Sequence, residues 1–572
     1  MNVVGIHDGH NASVAAIQNG RVIAACQEER LSRVKNQGGT PIQALEETLR
    51  LGGIDSFDQV DKVVVAGTIS QPPYITRTDV LQDYANMSRF GKSWLGGLRA
   101  ISADNKLFRN VRMFAQSKRQ INQAQSLRSA SLVKAGVPLE KITFVDHHTA
   151  HASSAYYGLA DYDDRILVLT NDGAGDGICA TVNVGHGGRL QRISAITEDN
   201  SLATIYAMVT YMMGMTPLEH EYKIMGLAPY YRGDVDKNAV YQGLLEVFEW
   251  DPENPMQWCR SAGIPRVGYL WKYLDELLTI ERFDTIAAGV QAFVEYFLVE
   301  WVRRCIRETG LSRLAVSGGT FMNVKANQAI LSLPEVDELF VFPSCGDETN
   351  SVGAAYWYYA NQKLSANERV DIDSVGSIYW GGEFHDDDIE SILDTYNFTA
   401  KDVRWEKHDD VEGKVAELLA DGQVVARFKG RMEFGARALG NRSILANASQ
   451  PHVVRYINDI IKSRDFWMPF APSVLADYST DYFHKLKSVK ARYMVMSFDT
   501  TSNKRNRIFA AVHPQDGTAR PQEVHSDDNP EYESLLRKYQ AISGDGAILN
   551  TSFNLHGFPL VYSPDDALKV FD

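Results

Sequence analysis

The sequence predicts an α/β protein of two domains, the first of which is built from a duplicated unit. The chain has 572 residues, too many for one ordinary domain and enough for two with sizeable cores. A strand, an Asp-Gly turn and a hairpin follow one another twice in the first half. Between Asn361 and Asp388 the composition turns polar and acidic. We therefore predict domains at residues 1–365 and 375–572, and the last residues are candidates for packing back on the first domain.

The duplicated unit is visible in the apolar runs and in the turns that end them. The first copy has a strand at Val3–Ile6, then Asp8-Gly9, then two alternating apolar runs around Asn19-Gly20. Such runs around Asn-Gly are a strong hairpin signal. The second copy has a strand at Ile166–Thr170 that ends near Asp172 and is followed by another hairpin. Glycine turns beside an Asp allow backbone N–H groups to approach phosphate.

Further elements follow from apolar periodicity. A third strand, Leu314–Val316, leads into Ser317-Gly318-Gly319, and Ile286–Val302 is expected to be a buried helix. The second half is predicted to contain a helix at Val411–Leu419 and strands at Val424–Phe428 and Ala547–Leu549. The printed sequence stops within a predicted helix, so it does not tell whether the chain continues past residue 572.

Composition narrows the possible functions. Hydrophobic residues make up 44% of the chain and charged residues 23%, which excludes collagen-like, low-complexity and disordered classes. Asp and Glu number 72 against 58 Lys and Arg, a formal net charge of −14. Proteins whose main work is to hold a nucleic-acid backbone are usually basic, so we expect no nucleic-acid partner.

The cysteines and the N-terminus favour a cytoplasmic protein. The five cysteines form no CxxC pair, which disfavours a disulfide framework or a thiolate zinc site. The first residues lack a basic segment followed by a long apolar one, so no signal peptide is expected. Glu295 and Glu300 interrupt the most apolar stretch, and we predict no transmembrane segment.

The sharpest local motif is a histidine pair in the run from Asp146 to His151. On a helix, His147 and His151 are four residues apart and share one face. That spacing suits two imidazoles on one metal ion, although such pairs are also common as structural histidines. Asp172 and Asp347 are candidates for the remaining ligands. Nitrogen ligands favour iron, zinc or manganese over magnesium.

The second half concentrates cations and glycines. The run GRMEFGARALGNRS carries Arg431, Arg437 and Arg442, and two spaced pairs follow at Lys462 with Arg464 and at Ser552 with Asn554. Arginine forks and a lysine point charge suit phosphate and carboxylate oxygens. Any one of these arginines is more often a surface ion pair, but the ordered set in an acidic protein favours an anion-binding site.

Together these motifs resemble the O-carbamoyltransferases of the NodU/CmcH type. The resemblance rests on HDGHNAS, HHTAHASSAYY, DGAGDG, SGGTFMN and GDE in the first half, and on K-x-R and S-x-N in the second. It implies a TsaD-like domain of the duplicated actin/Hsp70-like (ASKHA) fold, followed by a YrdC-like α/β domain. It covers nearly the whole chain in motif order.

The resemblance also implies roles for individual residues. The metal would be held by His147, His151, Asp172 and Asp347, and the nucleotide by Gly318, Gly319 and Asn323. His10, with Asp8 to orient it, is the candidate general base or acceptor contact, and Lys35 would bind acceptor or phosphate. Carbamoyl phosphate and its adenylate would be held by Arg437, Arg442, Lys462, Arg464, Tyr493, Met494, Arg520, Asn550, Ser552 and Asn554.

The reaction implied by the resemblance uses carbamoyl phosphate and ATP. The second domain would form carbamoyladenylate, and the first would transfer the carbamoyl group to a hydroxyl of a small-molecule acceptor, a natural product such as an antibiotic or a glycan. The expected cofactors are ATP, a divalent metal (Fe²⁺ first, with Mn²⁺ or Zn²⁺ as alternatives) and Mg²⁺ with ATP. Neither the acceptor nor the oligomeric state can be read from the sequence.

Three alternatives remain open. A tRNA threonylcarbamoyl-type transferase shares the histidine motif, and the segment Ser88–Arg128, with nine Lys or Arg and one acid, offers a basic surface. The overall acidic charge and the fused second half disfavour that alternative. A non-catalytic ASKHA-fold nucleotide-binding protein would not need the second cation set. A HypF-like maturation factor is disfavoured because no CxxC pair is present.

Overall fold

A computed structural model describes residues 1–69, 76–91, 121–399, 403–462 and 465–572 of the chain. Most of the basic segment Ser88–Arg128 lies outside these residues. The predicted anion-binding residue Arg464 and the side chain of Lys462 also lie outside them.

The first sheet contains the predicted strand and hairpin of the first unit. Its strands run in the order β3-β2-β1-β4-β5. The hairpin strands β1, β2 and β3 pair antiparallel, whereas β1, β4 and β5 pair parallel. The strands are β1 Asn2–His7, β2 Ser13–Gln18, β3 Arg21–Gln27, β4 Lys62–Ala66 and β5 Ile142–Val145.

The second sheet repeats this arrangement. Its order is β12-β11-β6-β7-β8, with β6, β7 and β8 antiparallel and β6, β11 and β12 parallel. The strands are β6 Ile166–Gly175, β7 Ile178–His186, β8 Arg189–Thr197, β11 Arg313–Ser317 and β12 Glu338–Val341, and β9 Phe248–Trp250 pairs with β10 Trp258–Arg260 in a separate hairpin. Because the two sheets share order and direction, the predicted duplicated fold of the actin/Hsp70-like (ASKHA) class is confirmed.

Helices connect and cover the two sheets. Residues 121–134 are helical. The other α-helices described in the first 365 residues are Glu28–Ser32, Ile42–Leu51, Arg77–Gly91, His147–Leu159, Leu202–Met212, Glu221–Leu227, Ala239–Leu245, Trp271–Leu278, Phe283–Thr309, Val324–Leu331 and Asn350–Ser365.

The long apolar helix Phe283–Thr309 is part of the core, as its sequence predicts. Its side chains Phe293, Phe297 and Trp301 are almost completely buried. Among the described residues it is the one helix long and apolar enough to cross a membrane, and 67% of its most apolar window is buried inside the protein. This burial is typical of a core helix.

The second half forms a third sheet, in the order β13-β14-β19-β15-β18. The predicted helix Val411–Leu419 and both predicted strands are present. The strands are β13 Val425–Phe428, β14 Arg442–Ala446, β15 Ala471–Leu475, β18 Gln522–Val524 and β19 Ala547–Ser552, with a short pair β16 Phe498–Asp499 and β17 Thr518–Ala519. The helices are Asp386–Thr395, Val411–Ala420, His452–Tyr456, Ser479–Tyr482, Pro530–Ser543 and Pro564–Phe571.

The end of the chain contacts the first half. Arg33 donates hydrogen bonds to the carbonyl oxygens of Leu560, at 2.5 Å, and Pro559, at 3.1 Å. The Tyr562 hydroxyl bonds to the carboxylate of Glu47. Residues 559–562 therefore join the two halves, while the exact domain boundaries and the YrdC-like identity of the second half stay predictions.

Two helices that lead to the candidate site cross at a glycine. The helix His147–Leu159 begins at Asp146, whose carboxylate accepts a hydrogen bond from the Thr149 N–H. It packs against the helix Asn350–Ser365, where a Cβ added to Gly353 would lie 2.0 Å from the Ala150 carbonyl oxygen. The backbones approach this closely because residue 353 has no side chain.

We expect Gly353→Ala to destabilise the protein. The added methyl group would push the two helices apart, and overpacking of this kind costs about 1–3 kcal/mol. Gly268→Ala is the control, since a Cβ there meets no atom within 4 Å. Guanidinium denaturation of both variants tests the expectation, and equal midpoints would contradict it.

Candidate metal and phosphate-binding site

The structure brings the four predicted metal ligands together. His147 and His151 lie one turn apart on their helix. Asp172 lies in the C-terminal part of β6, and Asp347 precedes the helix Asn350–Ser365. One ligand atom from each residue lies within 4.8 Å of all the others. The two lobes of the duplicated fold thus contribute to one cluster.

Each carboxylate points one oxygen into this cluster. Asp172 Oδ2 lies 3.1 Å from His147 Nε2, and Asp347 Oδ1 lies 3.2 Å from His151 Nε2. The remaining oxygens face other groups, because Asp172 Oδ1 accepts the Gly319 N–H at 3.0 Å and Asp347 Oδ2 lies 3.6 Å from His7 Nε2. This arrangement favours two monodentate carboxylates.

The four groups are complementary in charge. Burial alone would lower the pKa of His151, but its hydrogen bonds to Asp172 and Asp347 outweigh burial and raise it to about 9. Burial alone would raise the pKa of Asp172, but hydrogen bonds from His147 and His151 hold it well below its usual range. A divalent cation bound by all four groups would replace the protons on these imidazoles, and the N₂O₂ donor set fits such an ion.

The histidine between the two ligands has a different role. His148 Nε2 donates to the carbonyl oxygen of Ile178 at 2.9 Å, and its Nδ1 lies 2.8 Å from the Thr170 hydroxyl. Burial is the main cause that lowers the pKa of His148, to about 3, with the neighbouring histidines contributing. His148 therefore ties the helix to the second sheet as a neutral imidazole.

The predicted nucleotide turn borders the cluster. Gly318 has a φ of +111°, and a Cβ there would lie 2.2 Å from the Asn171 carbonyl oxygen, so the turn requires glycine. The Asn323 side chain caps the next helix by accepting the Ala326 N–H at 3.1 Å, and it exchanges two 3.0 Å hydrogen bonds with Gln291. Asn323 is thus held in place beside the turn.

His10 lies near the cluster, but Asp8 does not orient it. Asp8 accepts two hydrogen bonds from the Arg128 guanidinium, at 2.6 and 2.8 Å, which corrects the predicted role of this carboxylate. His10 Nε2 instead donates to the Leu218 carbonyl oxygen at 3.2 Å. Lys35 lies 3.0 and 3.2 Å from the two carboxylate oxygens of Glu29.

Three of the predicted carbamoyl phosphate residues face the protein interior. All hydrogen bonds described for the Arg442 guanidinium go to main-chain carbonyl oxygens, among them that of Lys429 at 2.9 Å, and the group stacks on the Phe428 ring. The Tyr493 hydroxyl lies 2.6 Å from the Gly376 carbonyl oxygen. Asn550 donates to Ser473 Oγ at 3.0 Å. These contacts support the loops in which the three residues lie, and the predicted roles of Arg442, Tyr493 and Asn550 in binding carbamoyl phosphate or its adenylate stay predictions.

The other described members of the predicted set lie in the second half, and all except Met494 are half-buried. Arg437 and Arg520 are half-buried. Ser552 donates to Asn554 Oδ1 at 2.6 Å, and Asn554 donates to the Phe558 carbonyl oxygen at 2.6 Å. Met494 is buried with a φ of +56°. Their binding roles stay predictions.

Sequence reasoning missed two groups at the site. His7, the last residue of β1, is buried beside Asp347. Its place directly before the Asp8-Gly9 turn could have pointed to it, because groups at equivalent strand ends meet across the duplicated fold. The partner of Arg30, Gly435, lies 405 residues away along the chain, and no local pattern reveals a contact over that separation.

We expect His151→Ala to lose metal binding and His148→Gln to retain it. His151 supplies a ligand atom, so its loss should weaken binding by more than the roughly 10- to 100-fold that loss of an outer partner costs. His148→Gln breaks buried hydrogen bonds and should cost about 1–3 kcal/mol of folding stability. Titration with Co²⁺, followed by absorbance, and denaturation of each variant separate the two effects. Equal Co²⁺ affinities would contradict the ligand assignment.

Comparison with known families and proteins finds matches along both halves of the chain. The family model "Carbamoyltransferase N-terminus" matches residues 2–356, and "Carbamoyltransferase C-terminus" matches residues 416–572. The nodulation protein NolNO of Sinorhizobium fredii is 29% identical over 98% of this chain and 76% of its own length. An uncharacterized protein of Methanocaldococcus jannaschii is 30% identical over 95% of this chain and 92% of its own.

Solved structures give a weaker likeness. Full-length HypF in its phosphate- and nucleotide-bound form has a TM-score of 0.36 and 12% identity, over 64% of this chain and 46% of that one. At this TM-score the likeness supports no inference about function. The two family models, in contrast, match in order and over both halves of the sequence. The predicted family is thereby confirmed, and the chain belongs to the carbamoyltransferases.

Proposed function

We propose that this protein is an ATP-dependent O-carbamoyltransferase. It would make carbamoyladenylate from carbamoyl phosphate and ATP, and then transfer the carbamoyl group to an acceptor hydroxyl. The observation that carries the proposal is the buried cluster of two histidines and two aspartates beside the Gly318-Gly319 turn, in a chain that matches both carbamoyltransferase models. We assign transfer to residues 1–365 and adenylate formation to residues 375–572.

In the second half, cations would hold the phosphates of carbamoyl phosphate and ATP. Water hydrolyses carbamoyl phosphate to inorganic phosphate and carbamate, and a carbamate oxygen then attacks the α-phosphorus of ATP and displaces pyrophosphate. Positive groups stabilise the charge that builds on the phosphoryl oxygens. The residues proposed for this work are Arg437, Lys462, Arg464, Arg520, Ser552 and Asn554.

In the first half, His147, His151, Asp172 and Asp347 would hold a divalent metal, for which Fe²⁺ is our first choice. When bound, the metal supplies Lewis-acid stabilisation of the phosphate of the adenylate. The main-chain N–H groups of the turn at Gly318 and Gly319 would face the nucleotide.

His10 is proposed as the base that accepts the proton of the acceptor hydroxyl. Its Nε2 carries the hydrogen donated to Leu218, so the basic lone pair lies on Nδ1. Nδ1 is buried and has no hydrogen-bond partner among the described residues. Burial, the main cause, lowers the pKa of His10, which keeps the imidazole neutral near pH 7. The acceptor oxygen would then attack the carbamoyl carbon, and AMP would leave.

The acceptor class is proposed from the relatives. NolNO and the protein U of Rhizobium tropici are named for nodulation, and this favours a glycan or a similar polyhydroxylated small molecule. The tRNA alternative gains no support from the described residues, because the basic segment lies mostly outside them.

We expect pyrophosphate release that requires carbamoyl phosphate, measured with ATP, Mg²⁺ and purified protein. Lys462→Ala should reduce this rate roughly 100-fold or more, since removal of one group that stabilises transition-state charge costs about 10²–10³. Lys272→Ala, at a side chain that is 74% exposed, is the matched control.

Two results would contradict the proposal. Release that proceeds equally without carbamoyl phosphate would indicate another reaction. A wild-type protein that neither releases pyrophosphate nor binds carbamoyl phosphate would overturn the carbamoyltransferase reaction itself.

A further inference from the structure

A turn of the second half, with Gly435 buried and Ala436 exposed, is seated on the first half close to the loop that carries Asp347. Gly435 and Ala436 form this turn. The Gly435 N–H donates to Gln27 Oε1 at 3.2 Å, and the Gly435 carbonyl oxygen accepts from Arg30 Nη2 at 2.6 Å. The Ala436 N–H donates to Ser344 Oγ at 2.8 Å. Three groups of the first half therefore hold two successive residues of the second.

The turn fits this place because residue 435 is glycine. Its φ is +98°, and an added Cβ would lie 2.3 Å from the Cβ of Ser344. Side chains rarely adopt such a φ, and the collision involves a part of Ser344 that cannot swing aside. Any other residue at this position would lift the turn away from Ser344.

Arg30 joins the halves through Nη2, and its other guanidinium contacts lie within the first half. Its Nη1 pairs with Glu29 Oε1 at 2.7 Å, and Nη2 donates to Gln27 Oε1 at 3.0 Å as well as to Gly435. Its side chain is only 4% exposed. Because a buried charge needs such pairing, Glu29 stabilises Arg30 in this position. This geometry leaves Arg30 facing the turn and not the solvent.

Ser344, which holds the turn, lies in the same loop as the candidate metal ligand Asp347. Ser344 precedes Asp347 by three residues and donates a hydrogen bond to Glu348, which follows that ligand. On the other side, Arg437 directly follows the seated turn. The Ala436 N–H, directly before Arg437, bonds to Ser344 Oγ at 2.8 Å. Arg437 therefore lies near the loop that carries Asp347.

We infer that Gln27, Arg30 and Ser344 form a seat for the Gly435–Ala436 turn, and that Arg30 is a positioning residue that holds Arg437 against the metal-binding loop. A phosphate at the metal of the first half would then also meet a guanidinium of the second half. The inference rests on the proposed function, because it assigns the phosphate a partner from each half. Among the residues described, Arg30 would act on the phosphate only through Arg437.

The seat itself is tested by amide hydrogen exchange in wild type and Arg30→Met. The amides of Gly435 and Ala436 are bonded to Gln27 and Ser344, so we expect their exchange to accelerate at least tenfold in the variant. Unchanged exchange at both amides would overturn the role of Arg30, whatever the protein binds.

The consequence for Arg437 is tested by AMP affinity in the full chain loaded with Mn²⁺. Gly435→Ala and Arg437→Ala should each weaken AMP binding about tenfold, and the double variant should be no weaker than Arg437→Ala alone. Such non-additivity is expected of residues that act through one another. Mn²⁺ affinity should stay unchanged in all three variants.

Gly544→Ala is the control, since Gly544 has a φ of +79° but a Cβ there meets no atom within 4 Å. Losses in AMP affinity that simply add in the double variant would overturn the positioning role. Wild-type protein that binds Mn²⁺ but no AMP would instead overturn the proposed phosphate site, and the exchange experiment would still decide whether the seat exists.

Discussion

The buried pairing of two imidazoles with two carboxylates constrains the rest of the first half. Removing a carboxylate from water without a partner is costly, so His147 and His151, which are buried, stabilise the half-buried Asp172 and Asp347 at this place. The partners come from a helix, a strand and a loop on both lobes. The close crossing at Gly353 and the glycine turn beside Asp172 bring these elements within reach of one another.

The second half contacts the first half near the same cluster, but through a different kind of interaction. Its turn at Gly435 and Ala436 is fixed by hydrogen bonds between the main chain of the turn and side chains of the first half, and it requires glycine at position 435. Its linker is fixed at Gly376 by Tyr493. Buried contacts of this kind are expected to limit relative movement of the halves. The arginine loop and the metal cluster are thus held in one arrangement.

Local periodicity and turn chemistry predicted much of the fold and the metal cluster. The His147 and His151 spacing, the hairpins and the acidic-glycine turns are short-range features, and the structure contains each of them. The partners of Asp8 and Arg442 could not be predicted in this way. Asp8 pairs with Arg128, 120 residues away, and the Arg442 guanidinium is enclosed by main-chain carbonyls that include that of Gly382, 60 residues away. A charged side chain looks the same in sequence whether it binds a ligand or supports the backbone.

The duplication gives the molecule two copies of one acidic turn, and the aspartates of the two turns have different partners. Asp8 follows the first strand of one lobe, and Asp172 occupies the matching place in the other. Only the second faces the histidines, whereas a guanidinium neutralises the first. The pseudo-symmetric scaffold thus carries an asymmetric centre, in which Asp172 faces the two histidines and Asp8 joins its strand end to Arg128.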